Sequence, residues 1–330
     1  MSLNKRLFIG EAAVDPTDHF NTVIYDGSNS DQSITGVGFQ PDLVWVKCRD
    51  VTNSHVLADS VRGGDGTRMY FLMSDLTNAQ SSSNQIETID SDGFTVFGNR
   101  SATNRLNQEY VAWCFKGGGT PVSNTDGSVT SQVSVNNDLG FSIVTYTSVT
   151  GAGLKVGHGM DTTPDLVIWK RTDAAGDWFV YSSLFDGDYI KLNTTDAAAT
   201  GSSYSSLVSS TLISSFSGTA GHDFVAYCFA SKEGFSKLGT YTGTSASGNS
   251  VTTGFEPAFV LIKNIDSAQG WIIWDNKRGG DKSLFPFSNT TEVSTTYDID
   301  FDSNGFTVQS TNDPENKNTE TIIYLAFAAN

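Results

Sequence analysis

Cysteine is scarce in this chain: of 330 residues only Cys48, Cys114 and Cys228 carry a thiol, with no Cys-x-x-Cys spacing. That set excludes a disulfide framework and a thiolate zinc site. Histidine is nearly as rare. His19, His55, His158 and His222 include no pair at metal-ligand spacing, so no metal and no cofactor are expected. Lysine and arginine number 20 against 36 acidic residues, and the formal net charge is −16. Without a basic run there is no footprint for nucleic acid, and the acidic balance repels anionic lipid. No apolar run reaches 18 residues, which argues against a membrane-spanning helix and membrane insertion. Met1 to Gly10 includes Lys5 and Arg6 but no apolar signal-peptide core, so synthesis and folding in a cytosol are expected.

Aromatics and turn formers are abundant. The 21 Phe, 11 Tyr and 6 Trp supply core, the 32 Gly serve tight turns, and only 17% of residues are charged. Short runs such as Leu43-Val44-Trp45-Val46 and Phe259-Val260-Leu261-Ile262 are β-branched or aromatic and bounded by Pro and polar residues, the mark of strands buried on both faces. Helical periodicity does not persist beyond two turns. The fold class expected is all-β, built of β-sandwich or jelly-roll-like modules.

Internal repetition organises the chain. Gly38 to Lys47 reads Gly-Phe-Gln-Pro-Asp-Leu-Val-Trp-Val-Lys, Pro164 to Lys170 reads Pro-Asp-Leu-Val-Ile-Trp-Lys, and Gly254 to Lys263 reads Gly-Phe-Glu-Pro-Ala-Phe-Val-Leu-Ile-Lys. Each follows an aromatic strand, and each is answered later by a strand ending in a small residue and Phe: Cys114-Phe115, Cys228-Phe229 and Ala326-Phe327. Arg-Gly-Gly-Asp (Arg62 to Asp65, Arg278 to Asp281) and Gly-Phe-Thr-Val (Gly93 to Val96, Gly305 to Val308) occur in the outer copies only. The middle copy has Phe185-Asp186-Gly187-Asp188 at the first of these places. The expected organisation is three tandem modules at 20–116, 141–230 and 235–330. An N-terminal arm at 1–19 and a Gly/Ser/Thr-rich linker at 117–140 complete it.

Several residues are candidates for a site. Arg62 and Arg278 have the chemistry to bind a sugar or phosphate, or to tie a turn in which Gly supplies positive φ and Asp accepts from Arg. Trp178, Trp271 and Trp274 lie beside loops and are candidates for flat stacking of a sugar ring, with core packing the expected use of at least two of the three. Lys47, Lys170 and Lys263 end the same strand in every copy; a stem over apolar surface with the head in water or on a carboxylate explains them. The thiols at 114 and 228 read as small apolar fillers. Asp300, Asp302 and Asn304 carry oxygen donors for Ca²⁺ but lack EF-hand order, and Asx turns explain them as well. No acidic pair stands out and no nucleophile motif is present, so no catalytic residue is assigned.

Taken together, Gly38 to Lys47, Asp59-Ser60-Val61-Arg62-Gly63, Asp92-Gly93-Phe94, Val111 to Phe115, and the later Gly-Phe-Glu-Pro and Tyr-Leu-Ala-Phe resemble a repeated domain of tailed-bacteriophage virion proteins. Such proteins are tail-fibre-like and are found in marine phages and prophages. The resemblance implies a non-enzymatic virion structural protein, assembled in the host cytoplasm, that serves in a tail fibre or tail-associated piece and in host attachment. It brings no catalytic residues with it. Expected partners are other virion proteins and a host surface glycan, with a homo-oligomer as the expected state. A capsid decoration or cement protein and a carbohydrate-binding lectin are the alternatives.

Overall fold

A computed structural model of the chain describes residues 15–185, 188–215 and 217–329. Strand accounts for 45% of the residues and helix for 4%, so the fold is all-β, as the composition led us to expect. Of the N-terminal arm, residues 1–14 lie outside the described residues. The remainder holds a single 3-10 turn, Pro16–Asp18.

Three antiparallel sheets share one strand order. In the first sheet Phe20–Asp26, Glu109–Phe115, Leu43–Cys48 and Val56–Asp59 lie side by side, with Phe71–Leu72 at the edge. In the second sheet the same sequence of partners is Phe141–Thr147, Asp223–Phe229, Leu166–Arg171 and Trp178–Ser182. In the third sheet it is Ser236–Thr242, Thr321–Ala328, Pro257–Asn264 and Trp271–Asp275.

Period-2 alternation sends the two faces of each central strand to different cores. Leu43 and Trp45, with Leu166, Ile168, Phe259 and Leu261, enter one central cluster to which all three sheets contribute. The alternate residues face outward: Val44 and Val46, Val167 and Trp169, Val260 and Ile262 each join a local cluster. Small sheets cover those outer faces. Gln32–Ile34, Gly93–Val96 and Ile86–Asp90 form one, Lys155–Gly157 with Leu212–Ser214 a second, and Asn249–Thr252, Gly305–Val308 and Ile299–Asp302 a third. Gly93 and Gly305 are required there. At φ +147° and +157° a Cβ would meet the carbonyl oxygens of Ile34 and Val251 at 1.9 and 2.0 Å.

At the centre, the Phe115, Phe229 and Phe327 rings meet with centroids 5.3 to 6.2 Å apart. They leave a void of only about 20 Å³. The three sheets therefore enclose a common core instead of standing in a row with separate ones. Truncating a ring of this size in a close-packed core costs about 3–5 kcal/mol.

The stretch expected as a linker is structured. Val122–Asn124 and Ser131–Asn136 pair with each other and then with Phe141–Thr147. On the opposite edge Asp188–Lys191 and Ala199–Thr200 are added, giving the second sheet eight strands. Within Ser131–Asn136, Ser131, Val133, Ser134 and Asn136 are buried while Gln132 stays exposed, so a Ser-rich run still makes a strand.

Candidate functional site

One strap from each sheet (residues 73–80 from the first, 191–198 from the second and 285–292 from the third) crosses onto the next, and the three crossings use equivalent main-chain atoms. Trp178 and Trp271 pair with Lys170 and Lys263 on the neighbouring strand, and His55, one residue before the strand Val56–Asp59, extends the register that sets Val56 opposite Val46, next to Lys47. From these rings the indole N–H of Trp178 donates to Met73 O, and that of Trp271 to Lys191 O, both at 2.9 Å. His55 Nδ1 accepts from Trp45 Nε1, so its Nε2 carries the hydrogen and faces Phe285 O at 2.9 Å. Four residues further along each strap, the carbonyls of Asn289, Thr77 and Thr195 accept from the Lys47, Lys170 and Lys263 ammonium groups at 3.4, 2.9 and 3.4 Å. Three more residues on, the N–H groups of Glu292, Gln80 and Ala198 donate to Arg49 O, Thr172 O and Ile265 O at 2.7, 2.9 and 2.9 Å.

Burial decides the chemistry of these groups. The three lysines are at most 1% exposed, and desolvation lowers the pKa of each from 10.5 to about 8. Their heads end on carbonyls, not in water or on carboxylates as the sequence suggested. Burial likewise holds His55 well below the ordinary imidazole range, hence neutral.

Side chains then make the three crossings unlike. Where the third strap meets the first sheet, Arg49 grips Glu292 with Nε–Oε2 2.9 Å and Nη2–Oε1 3.0 Å, and Arg278 Nη1 joins at 3.1 Å. Arg278 also pairs with Asp275, which accepts from Trp113 Nε1 at 2.9 Å. Burial alone would raise the Glu292 pKa, but the Arg49 and Arg278 guanidinium groups outweigh it and hold it low. Where the first strap meets the second sheet, Arg62 pairs with Asp59, which accepts from Tyr227 Oη at 2.8 Å. Burial opposes the Arg62 charge, yet Asp59 and Tyr227 more than compensate and raise its pKa. At the second-onto-third crossing the matching residues are Ala198, Ile265, Ser182 and Leu325.

The first-onto-second crossing opens into a cleft of about 550 Å³. Its floor is Gln132 and Thr145, cross-strand partners on the extended second sheet. Arg62 and Gln80 line one wall, and Asp223, which accepts from Thr147 Oγ1 at 2.6 Å, lines the rim. The Arg62 side chain is 3% exposed. Among the described residues, its Nη1 and the Gln80 Oε1 have no hydrogen-bond partner.

Of the residues singled out from sequence, only Arg62 lies in this cleft. Trp178 and Trp274 are 0% and Trp271 2% exposed, so none presents a ring face for stacking. Trp178 and Trp271 are covered by straps, and Trp274 faces an outer core with its N–H on Tyr297 O. Arg278 is filled by Asp275 and Glu292. Both arginines bond the carboxylate three residues before them, not the Asp of Arg-Gly-Gly-Asp. Gly63 and Gly279 turn at φ +61° and +99°. Asp302 and Asp300 accept from Thr307 and Gln309 at a hairpin, and Asp186 and Gly187 lie outside the described residues. Cys48, Cys114 and Cys228 are all buried, with thiol pKa values raised by desolvation.

Gln80, Gln132 and Thr145 escaped the sequence reading. The alternation Ser131-Gln132-Val133 was the available signal for the floor. For Gln80 there was none, since its place is set by a main-chain bond to Thr172.

No curated protein and no solved structure matches the chain. A family profile described as a domain of unknown function, DUF7483, matches residues 15–330. With nearly its whole length covered by that profile, the chain belongs to the DUF7483 family.

Proposed function

We propose that the chain is a non-enzymatic structural component of a tailed-phage virion, a tail-fibre or tail-associated piece that takes part in host attachment. The observation that carries the reading is the set of repeated phrases from Gly38 to Lys47 through Tyr324 to Phe327, which resembles such proteins. The architecture suits the role. Three sheets locked on one aromatic core give a body that needs no disulfide, in keeping with assembly in a reducing cytoplasm. Among the described residues no group of three or more His, Cys, Asp or Glu gathers to hold a metal ion. Other virion proteins are the proposed partners.

The polar cleft favours a second reading, a lectin-like module that binds a host surface glycan. The two are compatible if the module acts from the tail. Immunogold labelling or cryo-electron microscopy of virions tests the first. Density at the tail is the expected result, density over the capsid would make it a decoration protein, and absence from every particle would sink the virion reading. Release of reducing ends from host polysaccharide would overturn the non-enzymatic part.

A further inference from the structure

We propose that the cleft between Arg62, Gln80 and the Gln132–Thr145 floor binds a neutral, hydroxyl-rich saccharide. The inference rests on the attachment reading for its setting, but its chemistry comes from comparing equivalent positions in the chain.

Arg278 and Arg62 occupy the same place in their turns. Each donates its backbone N–H to the Asp three residues earlier, and each binds that Asp through Nε. In the third-onto-first crossing the remaining Nη1 of Arg278 is taken by Glu292. In the first-onto-second crossing the residue matching Glu292 is Gln80, by its main-chain bond, and the Nη1 of Arg62 has no partner among the described residues. A guanidinium nitrogen in a side chain 97% buried is costly to leave unmatched, so a ligand group that reaches it is strongly favoured.

Charge selects the ligand class. Glu292 is tolerated because Arg49 joins Arg278 in balancing it and Asp275. At the cleft Thr172 stands where Arg49 would be, and Asp59 already neutralises Arg62. A ligand carboxylate would bring an unbalanced negative charge beside Asp223, on a chain of net charge −16. A hydroxyl brings none. With a small turn of the two side chains, whose Nη1 and Oε1 lie buried in the cleft wall, it accepts from Arg62 Nη1 and donates to Gln80 Oε1, satisfying an unpaired donor and an unpaired acceptor. The floor offers more of the same chemistry, an amide at Gln132 and a hydroxyl at Thr145. A volume of about 550 Å³ falls within the usual range for small-ligand sites.

The full chain should be titrated calorimetrically with maltohexaose, cellohexaose, laminarihexaose and xylohexaose, and with hexagalacturonate as the acidic comparator. At least one neutral hexasaccharide is expected to bind and to outcompete the galacturonate. Gln132→Trp, at an exposed position that tolerates bulk, and Gln80→Ala should each weaken binding about tenfold or more with the melting temperature unchanged. Arg62→Lys should weaken binding as well, with its fold checked by circular dichroism because Asp59 depends on Arg62. Failure of all four neutral probes at millimolar concentration, binding indifferent to Gln132→Trp, or binding of hexagalacturonate alone would each overturn the proposal. The two readings fail separately. A protein found on the tail that binds no neutral probe loses only the cleft, while one that binds but is absent from virions loses only the attachment role.

Discussion

The third-onto-first and second-onto-third crossings hang on one skeleton of backbone bonds and fill it with opposite chemistry. In the former, Arg49, Arg278, Asp275 and Glu292 form a nearly closed ion cluster capped by Trp113. In the latter, Ser182 takes the register position of Asp275, Ile265 that of Arg49, Ala198 that of Glu292 and Leu325 that of Trp113. The difference shows that buried acid, arginine and indole act as a set. Where the acid is absent, so are the donors that would satisfy it. The first-onto-second crossing is intermediate: it keeps the Asp–Arg pair but not the second ion pair, and there the cleft opens.

The largest test removes one member of the closed set. Arg278→Ala leaves Asp275 and Glu292 short of their partner and should cost about 3–5 kcal/mol in urea unfolding. Arg62→Ala should cost less, because Arg62 answers Asp59 alone whereas Arg278 answers both Asp275 and Glu292. Equal losses would erase the distinction between the two crossings. Ser182→Asp should be destabilising as well, since it plants a buried carboxylate where no arginine answers it.

What the crossings share is the lysine, and its effect is read in pH. In the unfolded chain each lysine keeps its ordinary value of 10.5, whereas burial sets it to about 8 in the folded state. Below pH 8 the cost of burying the charge is carried in full. Between 8 and 10.5 the folded chain sheds protons that the unfolded chain retains, so stability rises, by at most about 1.4 kcal/mol per pH unit per lysine. Burial raises the pKa of Tyr25, Tyr227 and Tyr241, which lowers stability above about pH 10, so urea midpoints should be compared between pH 8 and 10. Lys47→Met, Lys170→Met or Lys263→Met should each remove about one third of the rise. An unequal share would show that one strap holds its lysine differently.

Glu315, outside the crossings, serves as a control of opposite sign. Burial raises its pKa to about 7, so stability should fall as pH climbs from 4.5 to 7, and Glu315→Gln should flatten that slope. The smallest effect is a rebuilt ion pair. Gln80→Glu with Thr172→Arg copies Glu292 and Arg49 into the cleft, and a double-mutant cycle should show favourable coupling of about 1 kcal/mol. The same pair should close the cleft to saccharide.

The strands and the aromatic landmarks were legible because alternation and ring packing leave their mark on residue type: Phe115, Phe229 and Phe327 stand at the axis. The straps were not. Their contacts run through carbonyls and N–H groups, so Phe285, Met73 and Lys191 do equivalent work with nothing in common as side chains. That is also why Trp178 and Trp271 read as exposed. Each follows a turn rich in small residues, and what covers it comes from 80 or more positions away in the chain. The floor of the cleft was hidden by composition, since Ser and Gly around 117–140 mask the alternation within Ser131–Asn136.

The pair that closes the third strap onto the first sheet spans 243 positions. On a ribosome adding about 5–20 residues per second, Arg49 emerges roughly 12–50 s before Glu292 exists to meet it. Once Trp113 has been made, the nascent first sheet holds Trp113, His55 and Lys47 without the cover they have at the end. The first sheet is thus closed only by the third strap, and from Trp113 onward the growing chain carries that face uncovered until Glu292 is made.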